Sequence, residues 1–341
     1  MEALKSDFFD TIIVGAGVCG LRLSENLSKL FPQERILLLE KSKAIGGRVA
    51  SRRAPGLYWN HGAQFYKSSA ELNSWHQDWI QKNLVVRSQL GPSSEKISTE
   101  VFFPKGEFTQ LLKETWSFLQ DRVALHREQK VVRIKRDRES WRLLCLSGAE
   151  GLEFEELICR RLVLTCPLPQ SLQILDDSKI PYPETLKNFK YAPVVVGLYS
   201  LRIKGPLFFQ HPHSLIASLS IQSTSTQLSS LSLVLKEEIS RELFSANTSQ
   251  IAGKIEEILQ QCLNKLDVSI SQLSLHSIKK WRYSHSEKQN PQISDLNSDS
   301  HRDLFLRLGD SAPSLFLAGD AFGGPSIAGA LRSAEALSTI C

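Results

Sequence analysis

Nothing in the 341-residue chain approaches the ~20 consecutive apolar residues that a membrane-spanning helix needs. The first nine residues include Glu2, Lys5 and Asp7 and lack the apolar stretch of a secretory leader, so export is not expected. The six cysteines (Cys19, Cys145, Cys159, Cys166, Cys262 and Cys341) form no C-x-x-C pair and no zinc-ligand spacing. No disulfide framework and no metal site are expected, and reduced thiols fit a cytoplasmic location. Large blocks of one charge are missing too. The net charge is +5, and the densest basic run, Arg133 to Arg138, alternates along a strand pattern that suits a solvated edge. Neither nucleic acid nor a membrane surface is indicated as a partner. No internal repeat and no Ser/His/Asp or paired-carboxylate constellation stands out. A composition of 42% hydrophobic and 23% charged residues is that of an ordinary globular protein, long enough for two lobes.

Against these absences stand two separated segments. Thr11 to Val14 is a short apolar, β-branched run, as a buried parallel strand should be. Gly15-Ala16-Gly17-Val18-Cys19-Gly20 follows in G-x-G-x-x-G spacing and opens an amphipathic stretch with Leu21, Leu23, Leu27 and Leu30. The first glycine makes the tight turn, the second lets backbone approach a pyrophosphate, and the third lets helix pack close on strand. Free N–H groups and the helix dipole then meet the phosphate charge. Ile36 to Leu39 form a second strand ending in Glu40, twenty residues beyond Gly20. A carboxylate there accepts bonds from both ribose hydroxyls and disfavours a 2′-phosphate. Gly46-Gly47-Arg48 offers a guanidinium on a flexible turn as a second pyrophosphate contact, with Arg52 and Arg53 reading as a solvated pair.

That fingerprint alone admits NAD, NADP or FAD. The second segment, Ser314 to Ala330, tips the choice to FAD. Leu315 to Ala318 reads as another strand, closed by Gly319-Asp320, whose carboxylate would face the ligand crevice and accept ribityl hydroxyls. Gly323 and Gly324 precede a helix from about Ser326 to Leu337, whose N-terminus would point at the flavin pyrimidine edge.

The chain is expected to pass between two lobes more than once. Residues 1–65, 99–166 and 305–341 are assigned to a discontinuous nucleotide domain, and 66–98 and 167–304 to a substrate domain. The latter would hold a helical stretch at 66–98 (Trp75, Trp79, Ile80, Leu84). It would also hold strands at Val194–Ile203, Ser214–Leu219, Leu228–Leu235 and Leu273–Tyr283, and a helix at Gln250–Leu266. Within the first domain, a helix is expected at Glu107–Leu119 and strands at Val131–Ile134, Trp141–Leu146 and Leu162–Thr165, broken by Pro167-Leu168-Pro169. Ser284 to Ser300 reads as a polar loop. The class is α/β with an α+β second lobe.

Taken together, the chain resembles the renalase-like FAD-dependent oxidoreductases of the flavin amine oxidase superfamily. The resemblance rests on Gly15 to Gly20, Glu40-Lys41, Gly46-Gly47-Arg48, Asn60-His61-Gly62-Ala63-Gln64-Phe65-Tyr66 and Phe103 to Phe108. It continues through Leu164 to Gln170, Trp281-Arg282-Tyr283 and Gly319 to Ala330. It implies a Rossmann-like FAD domain of the p-hydroxybenzoate hydroxylase/monoamine oxidase type under a mixed-sheet substrate domain. It also implies that Gly62, Ala63 and Gln64 run beside the flavin, that the adenine end meets backbone near Val131, and that the flavin ring meets backbone near Ile327. No cysteine precedes the closing motif where covalent monoamine oxidases carry theirs, which implies non-covalent FAD. Asn60 departs from the family's usual aspartate, and Ala321-Phe322 and Pro325-Ser326-Ile327 alter the closing segment.

Pocket candidates are His61, Gln64, Tyr66, Trp281, Tyr283 and Phe322. The aromatics read either as stacking walls for a flat ring or as core under the flavin. His61 reads as a hydrogen-bonding or packing residue rather than a base. The expected activity is hydride transfer to flavin N5 from a small donor, a dihydronicotinamide isomer by resemblance, with oxygen or another acceptor taking the electrons. The alternatives are an amine oxidase and a non-catalytic flavin-binding protein. A hydroxylase would need a second dinucleotide fingerprint, and none is found.

Overall fold

The computed structural model describes residues 7–90, 99–147, 153–202, 207–223, 228–263, 272–287, 304–309 and 312–341. The expected element ends at Ile203 and Leu266, and most of the Ser284–Ser300 loop, lie outside these residues.

In chain order, β1 (Asp7–Val14), α1 (Val18–Leu30) and β2 (Ile36–Glu40) form the opening unit. A hairpin of β3 (Ser51–Ala54) and β4 (Leu57–Asn60) follows. Next come α2 (Asn73–Gln81), β5 (Val85–Leu90), β6 (Thr99–Pro104) and α3 (Phe108–Ser117). The chain then makes β7 (Val123–Arg127), β8 (Lys130–Asp137), β9 (Ser140–Ser147), β10 (Glu153–Leu164) and α4 (Leu168–Asp177). The second lobe is built from β11 (Tyr191–Leu201), β12 (Leu207–His213), β13 (Ile216–Ser223), β14 (Ser229–Leu235), α5 (Glu237–Leu243), α6 (Thr248–Leu263) and β15 (Ser274–Ser286). The chain closes with β16 (Phe305–Leu308), β17 (Ser314–Ala318), α7 (Asp320–Gly323) and α8 (Ile327–Ser338).

The first sheet runs β16-β17-β10-β1-β2-β7. Its middle is parallel, with Thr11–Val14 aligned to Ile36–Leu39 on one side and to Arg161–Leu164 on the other. Alternate side chains of these strands feed two cores, which is why they read as unbroken apolar runs. Ile13, Leu38 and Val163 pack with α1 and α8, while Ile12, Val14, Leu37 and Leu39 pack with β8, β9 and α4. Strand β10 changes neighbours along its length. Glu153 to Cys159 pair with β9, and Arg161 to Leu164 pair with β17. The second half thereby brings β17, and the closing motif behind it, within one strand of the Gly15 turn.

The α/β class holds. The second sheet, β12-β13-β14-β11-β15, is antiparallel at every described pairing rather than mixed, and the mixed sheet is the first one. Its outer face packs on α5 and α6 around Val195, Ile216, Ile255 and Leu259. Its inner face meets the β3–β4 hairpin, where Leu57 and Trp59 pack with Val194, Val196 and Leu198.

Residues 66–98 differ from the expected helical stretch of the second lobe. The helix covers only Asn73–Gln81, and Leu84 leads into β5. Trp75 and Trp79 share a core with α1 and α8, so α2 packs on the first sheet's side. Arg22 of α1 fixes it there: buried, it donates to the Glu71 carbonyl at 2.7 Å and lies 4.4 Å from the centre of the Trp75 ring. The Trp75 indole N–H in turn donates to Glu25 at 2.7 Å.

Candidate functional site

The glycine-rich turn has the geometry its spacing requires. Gly15 adopts φ +113°, a conformation closed to other L-residues at low cost. A Cβ on Gly20 would stand 2.0 Å from the Gly15 carbonyl oxygen, so only glycine lets α1 approach this closely. A Cβ on Gly17 would meet nothing within 4 Å. Gly17 therefore borders open space at the N-terminus of α1, where Val18 and Cys19 present first-turn amides. Gly47 lies against the Gly17 backbone, and Gly46 donates to the Ala16 carbonyl at 2.8 Å, which folds the diglycine turn over the first. Burial holds the Cys19 thiol far above its ordinary pKa, so it is a packing group there rather than a thiolate.

Glu40 is buried and held from both sides. Its Oε2 accepts the Ala16 N–H at 3.0 Å and its Oε1 the Ser42 N–H at 2.8 Å. Each oxygen keeps a further lone pair free to accept a hydroxyl. Its carbonyl accepts Gln129 N–H at 3.0 Å, which brings the start of β8, with Val131, alongside. Gln129 Oε1 is buried there with no partner. Lys41 points away and donates to Gln170 on α4 at 2.9 Å.

The segment after β4 lies along the diglycine loop: His61 and Gly62 donate to the Ala50 carbonyl and Ala63 to that of Arg48. Gln64 is buried; its Oε1 accepts the Ser218 hydroxyl at 3.1 Å and its Nε2 has no partner. At the other end of the chain, Gly319 (φ +137°) turns β17 into α7, and its N–H donates to Ser333 at 2.8 Å. Ser326 caps α8 by accepting the Gly329 N–H at 2.9 Å, and Ile327 begins the helix.

The two halves meet through a contact that separate readings of each did not foresee. Arg48 was expected on a pyrophosphate and Asp320 on ribityl hydroxyls; here they bind each other. The guanidinium donates to Asp320 Oδ2 at 2.7 Å and Oδ1 at 2.6 Å, and to the Ser284 carbonyl at 3.2 Å. Burial opposes the charge on Arg48, but the Asp320 carboxylate outweighs it and raises the Arg48 pKa. The Tyr191 hydroxyl donates to Asp320 Oδ1 at 3.2 Å, and burial followed by that carboxylate pushes its pKa well up. Tyr191 and Ser284 lie in β11 and β15, so this cluster ties the second sheet to both nucleotide motifs. Sequence gave no sign of Tyr191, which opens a fully buried apolar strand.

Of the pocket candidates, His61 and Trp281 come together. Their rings stack at 5.3 Å with 24° between planes, and the Trp281 indole N–H donates to the His61 carbonyl at 2.9 Å. Burial, then Lys279 and Arg52, hold the His61 pKa down at about 4, and its Nδ1 is buried without a partner. Tyr66 is not a pocket residue. It is 3% exposed, stacks on Phe102 at 5.5 Å, and shares a hydrogen bond with His76 Nδ1 at 2.9 Å. Tyr283 packs edge-on against Tyr191 at 5.9 Å, and Phe322 is buried in the same core, so both take the core reading.

Asn60 also turns out structural. Its Oδ1 accepts the Ser51 hydroxyl at 2.7 Å and the Phe108 N–H at 2.8 Å, capping α3. Its Nδ2 donates to the Gly106 carbonyl and to Gln222 Oε1. An aspartate could not donate those last two bonds.

An open strip beside Gly17, first-turn amides, the held Glu40 carboxylate and orphaned polar atoms on Gln64 and Gln129 suit an extended FAD. Among the described residues no group of three or more His, Cys, Asp or Glu could hold a metal ion, and no helix is long and apolar enough to cross a membrane. Fold and site thus fit an FAD-dependent oxidoreductase.

The profile of the flavin containing amine oxidoreductase family matches residues 95–339, and the chain belongs to that family. An FAD-NAD(P)-binding profile matches residues 12–166. No curated protein matches the chain by sequence. Its fold is similar to that of a candidate protoporphyrinogen oxidase from Exiguobacterium sp. 255-15, with TM-score 0.67, 14% identity and 99% of each chain covered. It is also similar to a single-substitution variant of putrescine oxidase from a redesign of cofactor binding, with TM-score 0.68, 11% identity and 98% of each chain covered.

Proposed function

We propose that the chain is a renalase-like oxidase of a small planar donor, a dihydronicotinamide isomer, with non-covalent FAD and with oxygen taking up the electrons. One observation carries the reading: the His61–Trp281 wall is aromatic and uncharged, because His61 with its pKa near 4 stays neutral at physiological pH. FAD, when bound, supplies the hydride acceptor. The donor breaks one C–H bond, gives up both electrons with the hydrogen and becomes an aromatic pyridinium, so no side chain need remove a proton. What this chain contributes is placement. Trp281 and His61 form a flat wall on which a ring can stack, Gln64 Nε2 offers a free donor to a carboxamide oxygen, and Glu40 with the Gly15–Gly20 turn holds the nucleotide. Phe322 and Tyr283 pack in the core behind the Gly319 turn.

Oxidation of an amine remains the second reading, favoured by family membership and by that same aromatic wall. Anaerobic mixing of the yellow protein with 2- and 6-dihydro-NAD, while flavin absorbance is followed, tests between them. Bleaching at a rate nearly constant from about pH 6 to 9 is expected. An amine must first lose its ammonium proton, so its rate would climb roughly tenfold per pH unit below the amine pKa. Bleaching by a simple amine with that slope, and none by the dihydro-NAD isomers, would sink the proposal.

A further inference from the structure

Among the described residues, the inner face of β15 carries charge with no counter-charge. In the antiparallel β11–β15 pair, Ser277, Lys279 and Trp281 stand opposite Leu198, Val196 and Val194. Directly opposed residues share a face of a sheet, and Val194, Val196 and Leu198 face the β3–β4 hairpin. Lys279 therefore faces the hairpin too, one step along the strand from Trp281. In the hairpin, Arg52 stands opposite Trp59, which packs into the same cluster, so Arg52 lies on the β15 side of the hairpin with its side chain exposed to solvent. His61 follows directly on β4 and stacks on Trp281.

Four basic groups converge at this edge: Arg52, Lys279, His61 and His276, the last lying 4.6 Å from Trp59. Each of the other three has its pKa lowered, by burial first and then by neighbouring cations that include Arg52 in every case. Among the described residues, neither Arg52 nor Lys279 has a carboxylate partner. The other face of the same strand is different: Lys280 is capped by the Phe244 and Ala246 carbonyls, and nearby Arg241 pairs with Glu237 and Glu287. Two orphaned polar atoms, Ser277 Oγ and His61 Nδ1, lie buried beside the unpaired cations. Half-buried Lys279 bears a desolvation cost that nothing visible offsets, and an oxyanion would offset it.

We propose that Arg52 and Lys279, with Ser277, form a phosphate subsite beside the His61–Trp281 wall that selects a phosphorylated donor over its uncharged riboside. The subsite rests on the proposed function only in taking that wall as the ring site. It also meets a need of that reaction. A ring becoming a cation beside two bare cations is opposed electrostatically, and a phosphate bound between them cancels the opposition. The same field disfavours a polyamine.

Inorganic pyrophosphate is the first probe, titrated into holoenzyme by calorimetry with the His61 imidazole followed by NMR. Salt-sensitive binding that raises the His61 pKa is expected. Arg52→Gln and Lys279→Gln should each weaken it about three- to tenfold, while Lys279→Arg retains it. Unchanged affinity in the double variant would overturn the subsite. With donors, each Gln variant should raise KM for a dihydronicotinamide mononucleotide about three- to tenfold and leave that for the riboside unchanged; equal effects on both would also overturn it. If neither donor reduces the flavin, the ring-site reading fails while the pyrophosphate titration still decides the subsite.

Discussion

Gly17 and Gly20 lie three residues apart, and the structure assigns them to different tasks that two alanine substitutions should separate. A Cβ at position 20 would stand 2.0 Å from the Gly15 carbonyl oxygen, whereas ordinary contact begins at 3.4 Å. Helix or turn must yield by about 1.4 Å, and the obstacle is backbone on a buried sheet, so the overpacking cost is about 1–3 kcal/mol or more. At position 17 the added methyl meets nothing within 4 Å, and φ is −81°, open to alanine. Alanine there loses some N-cap preference relative to glycine but restricts the unfolded chain, two effects of about 0.5–1 kcal/mol and opposite sign. Folding should be almost untouched, while the methyl fills the strip that backbone must leave for a pyrophosphate. Thermal melting across an FAD series reads both quantities. At FAD a hundredfold above the wild-type Kd, wild type gains about 2.7 kcal/mol, and a variant binding tenfold more weakly gains only about 1.4. Gly17→Ala should share the wild-type melt at zero FAD and show the smaller gain; Gly20→Ala should melt lower from the start. The argument fails if Gly17→Ala keeps full FAD stabilisation or loses as much FAD-free stability as Gly20→Ala.

Asn60→Asp, which restores the family's usual residue, should destabilise the protein by about 1–2 kcal/mol near neutral pH, because the two donated bonds are lost while the two accepted ones, from the Ser51 hydroxyl and the Phe108 N–H, are kept. Urea unfolding at pH 7 reads it, and equal or higher stability would show that the side-chain amide is not needed. His61 should make stability fall as pH drops from about 6.5 towards 4, by up to about 3 kcal/mol, since its folded pKa lies below its unfolded one and the unfolded state binds the extra proton. In His61→Gln that part of the pH dependence should vanish; a denaturation series that leaves it in place counts against the assignment. Arg48→Ala and Asp320→Ala should each cost about 3 kcal/mol and the double variant about 1–3 less than their sum; strict additivity would mean that the pair is not coupled.

What could be read in advance was local. The Gly15 turn, Glu40 at the end of β2 and the Gly319 turn each sit within a strand–turn–helix whose spacing is imposed by backbone geometry, so sequence order alone reports it. The helix α4 shows the limit of that reading. Pro167-Leu168-Pro169 marks the end of β10, but proline also starts helices, and here Pro169 lies in the first turn of one. The hairpin β3–β4 escaped notice because Ser51-Arg52-Arg53-Ala54 has no apolar alternation; its partner strand supplies Leu57 and Trp59. Tyr66 was misplaced because an aromatic packs a core as readily as it lines a pocket, and only the His76 and Phe102 contacts decide. The unpaired charge of Lys279 depends on what β3 brings opposite it, more than two hundred residues earlier in the chain.

The Arg48–Asp320 pair, 272 residues apart in sequence, need not exclude the roles first read for its members. A guanidinium has five N–H donors, and Asp320 with the Ser284 carbonyl occupies three contacts, two of them on one nitrogen. Donors remain for a phosphate oxygen. A carboxylate has about four acceptor positions; Arg48 takes two and Tyr191 one, which leaves one on Oδ2 for a hydroxyl. The ion pair therefore does what neither residue achieves alone. It holds the closing motif onto the diglycine loop and, through Tyr191 and Ser284, ties the second sheet to both. Trp281 lies three residues before Ser284 on the same strand, so the place where it meets His61 is coupled to the Arg48–Asp320 contact.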